Sequence, residues 1–530
     1  MEPSCTACVR RAHGGKDTHQ APDSADSTVT GALLTGALLV AGTTSDAGKS
    51  VVTTGLCRLL ARRGMSVAPF KAQNMSNNSM VCADGAEIGR AQWIQALAAR
   101  AEPEAAMNPV LLKPGSDRRS HVVVMGKPAG DLESGEFVGG RSALADAAFA
   151  AYDDLRSRFD VVICEGAGSP TEINLRADDY INMGLARHGD IPTIVVGDID
   201  RGGVFAAMHG TVALLETADQ RLITGFVVNK FRGDPVLLQP GLDSLERLTG
   251  REVYGVLPWR PDIWLDSEDA LDLAGRRADN RTAALRVAVV RLPRISNFTD
   301  VDALGIEPDV DVVFASDPRA LGDADVIVLP GTRATIADLR WLRERGLDRA
   351  ILSHAEAGRP VLGICGGFQM LGRSILDIDG VEGQAGAFVE GLGLLDVHTE
   401  FANDKVLRLS TGTALGHNAA GYEIHHGRIA CGDDAEEFLG GAREGAIFGT
   451  MWHGSLESDE FRRAVLREVA EFAGRAEFSP GEVSFASLRE RRLDLLADLI
   501  EENLDLDALL DVIASGAPSD LAILPPGLYR

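Results

Sequence analysis

Leu38-Leu-Val-Ala-Gly42-Thr43-Thr44-Ser45-Asp46-Ala47-Gly48-Lys49-Ser50 is the stretch on which the fold turns. An apolar run of strand length meets a Gly/Ser/Thr loop, and a helical pattern starts at Val51. Strand, loop and helix in that order, with Gly-Lys-Ser at the helix start, make a phosphate-binding P-loop. Gly48 lets the backbone curl so that amide N–H groups and the helix N-terminus face phosphate oxygens. Lys49 is then placed for the β- and γ-phosphates and the Ser50 hydroxyl for Mg2+. Thr43, Thr44, Ser45, Asp46, Ala47, Gly48, Lys49 and Ser50 are the candidate nucleotide-binding residues. The motif departs from its usual form at Thr43, which stands in the first glycine position with Gly42 one residue earlier.

Working outward, short apolar runs at 67–70, 161–164, 193–197 and 223–229 alternate with helix-like segments such as 51–63 and 143–158. Continuous apolar strands separated by helices predict a parallel sheet covered on both faces. In Asp160-Val-Val-Ile-Cys-Glu165-Gly-Ala-Gly168 the strand ends on a carboxylate before a Gly turn, which makes Glu165 the candidate Mg2+ partner of Ser50. Asn229 ends another strand, where a side-chain amide can read a nucleobase edge.

Residues 266–285 are polar and charged and read as a linker. A second α/β series follows at 287–292, 311–315, 325–331, 360–365 and 446–454. In Pro360-Val-Leu-Gly-Ile-Cys365-Gly-Gly-Phe-Gln369 a strand breaks at a cysteine into Gly-Gly and then a helix. That pattern is a nucleophile elbow, which exposes the side chain beside a helix start and favours the reactive thiolate. His453, at the end of a later strand, is the candidate base, and the amides of Gly366 and Gly331 are candidate oxyanion donors. The order of domains is then an extension over 1–33, a P-loop domain over 34–265, the linker, a thiol domain over 286–478 and an acidic, Leu-periodic helical segment over 479–530.

Composition closes off several classes. The 530 residues, 45% hydrophobic, give ample core for multiple domains and exclude a disordered or fibrous chain. With 52 Lys+Arg against 77 Asp+Glu the net charge is −25, which argues against sequence-independent binding to nucleic acid or anionic membrane. Seven scattered cysteines imply no disulfide framework, and the lone Cys5/Cys8 pair lacks the second half of a zinc site. Without a signal peptide or a spanning run, the expectation is a soluble protein of a reducing compartment, the cytoplasm.

The two sites together carry a resemblance. Cys365 in its elbow with His453 resembles the class I glutamine amidotransferases, and the P-loop with Glu165-Gly-Ala-Gly resembles the dethiobiotin synthetase-like ATPases. Fused in this order they are similar to the cobyrinic/cobyric acid amidases. The stretches Pro69-Phe-Lys71-Ala-Gln73-Asn74-Met-Ser-Asn77-Asn78-Ser79, Glu87-Ile-Gly-Arg90-Ala-Gln92, Met107-Asn-Pro-Val-Leu-Leu-Lys113, Leu292-Pro-Arg-Ile-Ser-Asn297-Phe-Thr-Asp300 and Gly421-Tyr-Glu-Ile-His425 resemble the cobyric acid branch of that family. The resemblance implies two α/β domains and an ATP-, Mg2+- and glutamine-dependent amidation. It implies adenosylcobyrinic a,c-diamide as the acceptor, with its b, d, e and g carboxylates converted to amides, and Lys71, Gln73, Asn74, Asn77 and Arg90 as substrate contacts.

Class I enzymes usually carry His-x-Glu at the end of the triad, whereas here Gly454 and Ser455 follow His453. Glu457 is left open as the residue that orients the imidazole. The alternatives are an amidase of another carboxylate, such as the a and c groups of cobyrinic acid, and a partitioning-type ATPase.

Overall fold

The computed structural model describes residues 34–115, 119–133, 141–260, 263, 284–433 and 435–525. The expected N-terminal extension with Cys5 and Cys8, and the linker apart from its last two residues, lie outside the described residues. Leu285, assigned to the linker on sequence, instead opens the strand Leu285–Val290, because its side chain is fully buried in the second core.

The first lobe is built on six parallel strands. Their order is Glu252–Pro258, Ile223–Phe231, Thr193–Asp198, β1 (Gly36–Gly42), Val161–Glu165 and β2 (Val67–Phe70). Leu38 to Ala41 of β1 are wholly shielded from solvent, which is why the strand is apolar throughout instead of alternating. The P-loop helix α1 (Lys49–Arg62) covers one face. On that same face lie the C-terminal helices Phe485–Asn503 and Leu506–Ser515, so Leu56 and Leu60 share one core with Leu493, Leu496, Ile500 and Ile513. Arg58 adds ion pairs of 2.8 Å to both Glu490 and Asp494. The acidic C-terminal segment is thus an integral layer of the first lobe.

A short helix, α2 (Arg90–Ala98), runs from the boundary between the lobes toward the P-loop end of the first sheet. Seven of its nine residues are buried, including Arg90, Gln92 and Gln95.

The second lobe has seven strands, five parallel and two antiparallel, in the order Val310–Ala315, Leu285–Val290, Val326–Leu329, Val361–Ile364, Ile447–Thr450, Gly441–Glu444 and Glu436–Phe438. A long hairpin, Val397–Ala414 with His417–Cys431, extends from it and was not expected from sequence. The hairpin meets the first lobe: Tyr422 and Ile424 pack on Met80 and Val81. Beside that contact, Glu87 is buried between Lys113 of its own lobe and Lys405 of the hairpin. The α/β architecture with a P-loop sheet and a second α/β domain is the one expected. Among the described residues no helix is long and apolar enough to cross a membrane.

Candidate active site

At the P-loop, Gly48 has φ of +101°, and a Cβ there would stand 1.9 Å from Asn229 Nδ2. Both facts demand glycine. Thr43 is not among the residues of positive φ, so the first position of the motif needs no glycine in this loop. Thr44, Ser45 and Asp46 form the exposed lip, while Ala47 and Lys49 are buried beneath it. The Lys49 ammonium donates to the carbonyls of Thr44 and Ser45 at 3.0 Å and of Gly168 at 3.2 Å, so it lies across the mouth of the loop.

Glu165 is the hub of this site. Its Oε1 accepts from the Ser50 hydroxyl at 3.0 Å and from Lys71 Nζ at 2.9 Å, and its Oε2 accepts from Gln95 Nε2 at 2.5 Å. Burial raises its carboxyl, but Lys71, Lys49 and Gln95 outweigh that cost and hold the pKa below the ordinary value. A hydroxyl and an ionised carboxylate in contact at the mouth of a P-loop are hard oxygen donors suited to Mg2+. Among the described residues no group of three or more His, Cys, Asp or Glu side chains could hold a metal. Asn229 does not present an open edge in this structure. Its side-chain amide donates to Ala47 O at 2.9 Å and its side-chain carbonyl accepts from the Lys230 N–H, so it braces the loop.

At the thiol site, Cys365 takes φ 49° and ψ −109°, the strained turn of an elbow, and the helix Gly366–Leu371 starts directly after it. Its thiol and the His453 imidazole face one cleft. His453 is 1% exposed. Its Nδ1 is 2.7 Å from Asp300 Oδ2, and Asp300 Oδ1 accepts from the Gly454 amide at 2.8 Å. Burial opposes charging of this ring, but Asp300 and Cys365 together outweigh it, and the imidazole pKa is pushed up to about 10. Asp300 therefore fills the orienting place left open for Glu457, whose oxygens are engaged by Arg90 and Arg489 at 2.7 and 2.8 Å. The buried thiols of Cys57, Cys82 and Cys164 differ: burial drives their pKa values up, to about 12 at Cys82, which leaves them inert.

Gly366 and Thr332 line the cleft, with Thr332 N 3.1 Å from where a Cβ on Gly366 would stand. Gly331, the expected second oxyanion donor, is packed behind His453, and a Cβ there would lie 2.7 Å from the ring's Cε1. Two further residues of the cleft, Glu382 and Arg333, were missed on sequence. Glu382 accepts from the Thr335 hydroxyl at 3.0 Å, and burial raises its carboxyl to about 7 against the pull of Arg333.

The expected substrate contacts fall in the zone between the two sites. Lys71 joins the Glu165 hub, and Gln73 accepts from the Tyr180 hydroxyl. Asn74 donates to Gln92 at 2.9 Å and Asn77 to Pro114 O at 3.3 Å. Arg90 is 1% exposed and bound to Glu457 of the second lobe, so it ties the lobes together instead of opening to a substrate. Lys113, from the first lobe, lines the thiol cleft, and Ser79 N donates to Asn297 Oδ1 at 2.9 Å, three residues before Asp300.

Comparison with known proteins agrees with this division. Residues 38–272 match the CobQ/CobB/MinD/ParA nucleotide binding domain, and residues 286–461 match the CobB/CobQ-like glutamine amidotransferase domain. The cobyric acid synthase of Mycobacterium tuberculosis (strain H37Rv) is 70% identical over 496 residues, which covers 92% of this chain and 99% of that protein. The cobyric acid synthases of Mycobacterium ulcerans and Mycolicibacterium gilvum are each 69% identical over 494 residues, with the same coverage. A P-loop lobe and a cysteine–histidine–aspartate lobe joined in one chain, matched nearly end to end at this identity, place the protein in the cobyric acid synthase family of glutamine-hydrolysing amidoligases.

Proposed function

We propose that the protein converts adenosylcobyrinic a,c-diamide to adenosylcobyric acid by amidating the b, d, e and g carboxylates, with ATP as the activating substrate and glutamine as the nitrogen donor. The observation that carries this reading is the 70% identity to a cobyric acid synthase over 92% of the chain. Residues 34–258 with 485–515 act as the synthetase lobe, and 284–478 as the glutaminase lobe.

In the glutaminase half, Cys365 Sγ attacks the glutamine amide carbon, and the oxyanion is held by the amides of Gly366 and Thr332. His453 passes its proton to the departing ammonia, leaving a thioester, and then accepts a proton from the water that releases glutamate. Asp300 holds Nδ1–H throughout, fixing the tautomer. Glu382 and Arg333, of opposite charge on the cleft wall, are suited to the α-ammonium and α-carboxylate of glutamine.

In the synthetase half, a substrate carboxylate is a poor electrophile until it takes the γ-phosphoryl group. Lys49 and the amides of 44–50 hold the phosphates. Ser50 and Glu165 would hold Mg2+, which when bound supplies neutralisation of the transferring charge. Ammonia then attacks the acyl carbon and expels inorganic phosphate. Because free ammonia is largely protonated at neutral pH, its transfer through the enclosed zone between the lobes keeps it nucleophilic.

Mass spectrometry of adenosylcobyrinic a,c-diamide incubated with ATP, Mg2+ and glutamine tests the reading, with Cys365→Ser run beside the wild type. Stepwise formation of four amides, lost in the variant with glutamine and restored with ammonium, is expected. An unchanged corrinoid with ATP still hydrolysed would overturn the substrate assignment.

A further inference from the structure

Side chains of α2 reach both sites. At one, Gln95 donates to Glu165 Oε2 at 2.5 Å, while Glu165 Oε1 is already held by Ser50 and Lys71. At the other, Arg90 Nη2 donates to Glu457 Oε1 at 2.7 Å. Glu457 sits in the short turn Ser455–Glu457, which directly follows His453 and Gly454. That turn is held to Asp300 through the Gly454 amide. Arg90 also lies beside Tyr422. The Tyr422 ring stacks on His453 at 5.4 Å, and its backbone exchanges two hydrogen bonds with His453, of 3.0 and 2.9 Å. One buried helix therefore joins the candidate metal carboxylate to the segment that carries the imidazole.

We propose that α2 couples the two half-sites, with Gln95 and Arg90 as positioning residues through which occupation of the Glu165 site sets the posture of His453. This rests on the assignments of Glu165 and Cys365 made above. The physical case begins at Glu165, where three donors hold both carboxylate oxygens. A divalent ion that binds this carboxylate competes with those three donors for its lone pairs. Gln95 is the donor with least to fall back on, because its buried Oε1 has no hydrogen-bond partner among the described residues. Loss of the Nε2 bond would leave the whole amide unpaired, and a buried unpaired amide drives rearrangement. A side chain on a fully packed helix cannot relax without moving that helix. Arg90 lies five residues away, about 7.5 Å along the helix axis. A second path runs parallel: Glu457 Oε2 accepts from Arg489 at 2.8 Å, on the C-terminal helix that packs along α1.

Coupling between two sites is reciprocal, so two independent measurements read it. The first is the rate at which a glutamine-mimicking chloroketone alkylates Cys365, with and without Mg2+ and a non-hydrolysable ATP analogue. The second is the calorimetric affinity for that nucleotide before and after alkylation. In the wild type each ratio is expected to reach about fivefold or more, within the usual range of allosteric coupling. In Gln95→Met, close in size but unable to donate, both ratios are expected to fall toward one. In Arg90→Lys, which keeps the charge and loses the guanidinium geometry, both are expected to be reduced with part retained. Each ratio is taken within one variant, and Gln95→Leu replaces Gln95→Met if the latter does not melt as the wild type does. Wild-type ratios near one, or full coupling in the Gln95 variant, overturn the proposal and leave the assigned function standing. Failure of the wild type to bind nucleotide or to be alkylated at Cys365 overturns that function instead.

Discussion

Asp300 grips His453 at Nδ1 and the Gly454 amide with its other oxygen, so it fixes both the tautomer and the turn behind the ring. Asp300→Asn keeps the shape and loses the charge. Glutamine hydrolysis is expected to fall about 10²–10⁴-fold, as in other triads stripped of the orienting carboxylate, while ammonium-supported amidation persists. A steady-state comparison of the two nitrogen sources checks this. Glu382 gives a pH signature. Its carboxyl is raised to about 7, so it is neutral on the acid side and able to pair with an ammonium only above that value. KM for glutamine is expected to fall as pH rises through about 7, and Glu382→Gln is expected to flatten that profile. Because the folded form holds this proton more tightly than the unfolded chain, the same group weakens the fold as pH rises between the two pKa values.

Among the elements, the C-terminal helix Phe485–Asn503 carries more weight than its polar composition suggests. Leu496 is fully buried against the P-loop face, and Leu496→Ala is expected to cost about 2–5 kcal/mol, read as a lower denaturant midpoint at unchanged slope. The alternation of strands and helices was legible in the sequence because doubly covered strands such as Leu38–Ala41 must be continuously apolar. The Cys365 elbow was legible because strand, cysteine and Gly-Gly follow one another locally. The hairpin Val397–Ala414 with His417–Cys431 was not, since its strands mix polar, charged and apolar residues and only part of each is buried. Asp300 was missed for another reason: it meets His453 across 153 residues, and no spacing rule links them. The contact of Arg90 with Glu457 was not legible either, because 367 residues separate the two in sequence.

At the scale of the whole molecule, the lobes are tied by charge buried where they meet. Glu87 is wholly shielded and paired with Lys113 at 2.6 Å and with Lys405 across the interface. Burial penalises its carboxylate, but the two ammonium groups outweigh that and hold its pKa far below the ordinary value. Glu87→Gln strands two cations and is expected to destabilise the protein by about 3–5 kcal/mol, read in chemical denaturation. Lys405→Met removes one cation and leaves Glu87 its Lys113 partner, so a smaller loss is expected. The two variants together separate the ion pair across the interface from the one within the first lobe.

The return of the C-terminal helices to the first lobe also governs how the chain comes into being. A ribosome delivers the P-loop early, but Leu493, Leu496, Ile500 and Ile513, which complete its core, emerge only after the whole glutaminase lobe has been made. The nucleotide lobe is thus first to be translated and last to close, and a chain stopped after residue 478 would carry an assembled thiol triad beside an uncovered P-loop helix. The core around the P-loop helix therefore becomes complete only after the thiol lobe has been synthesised.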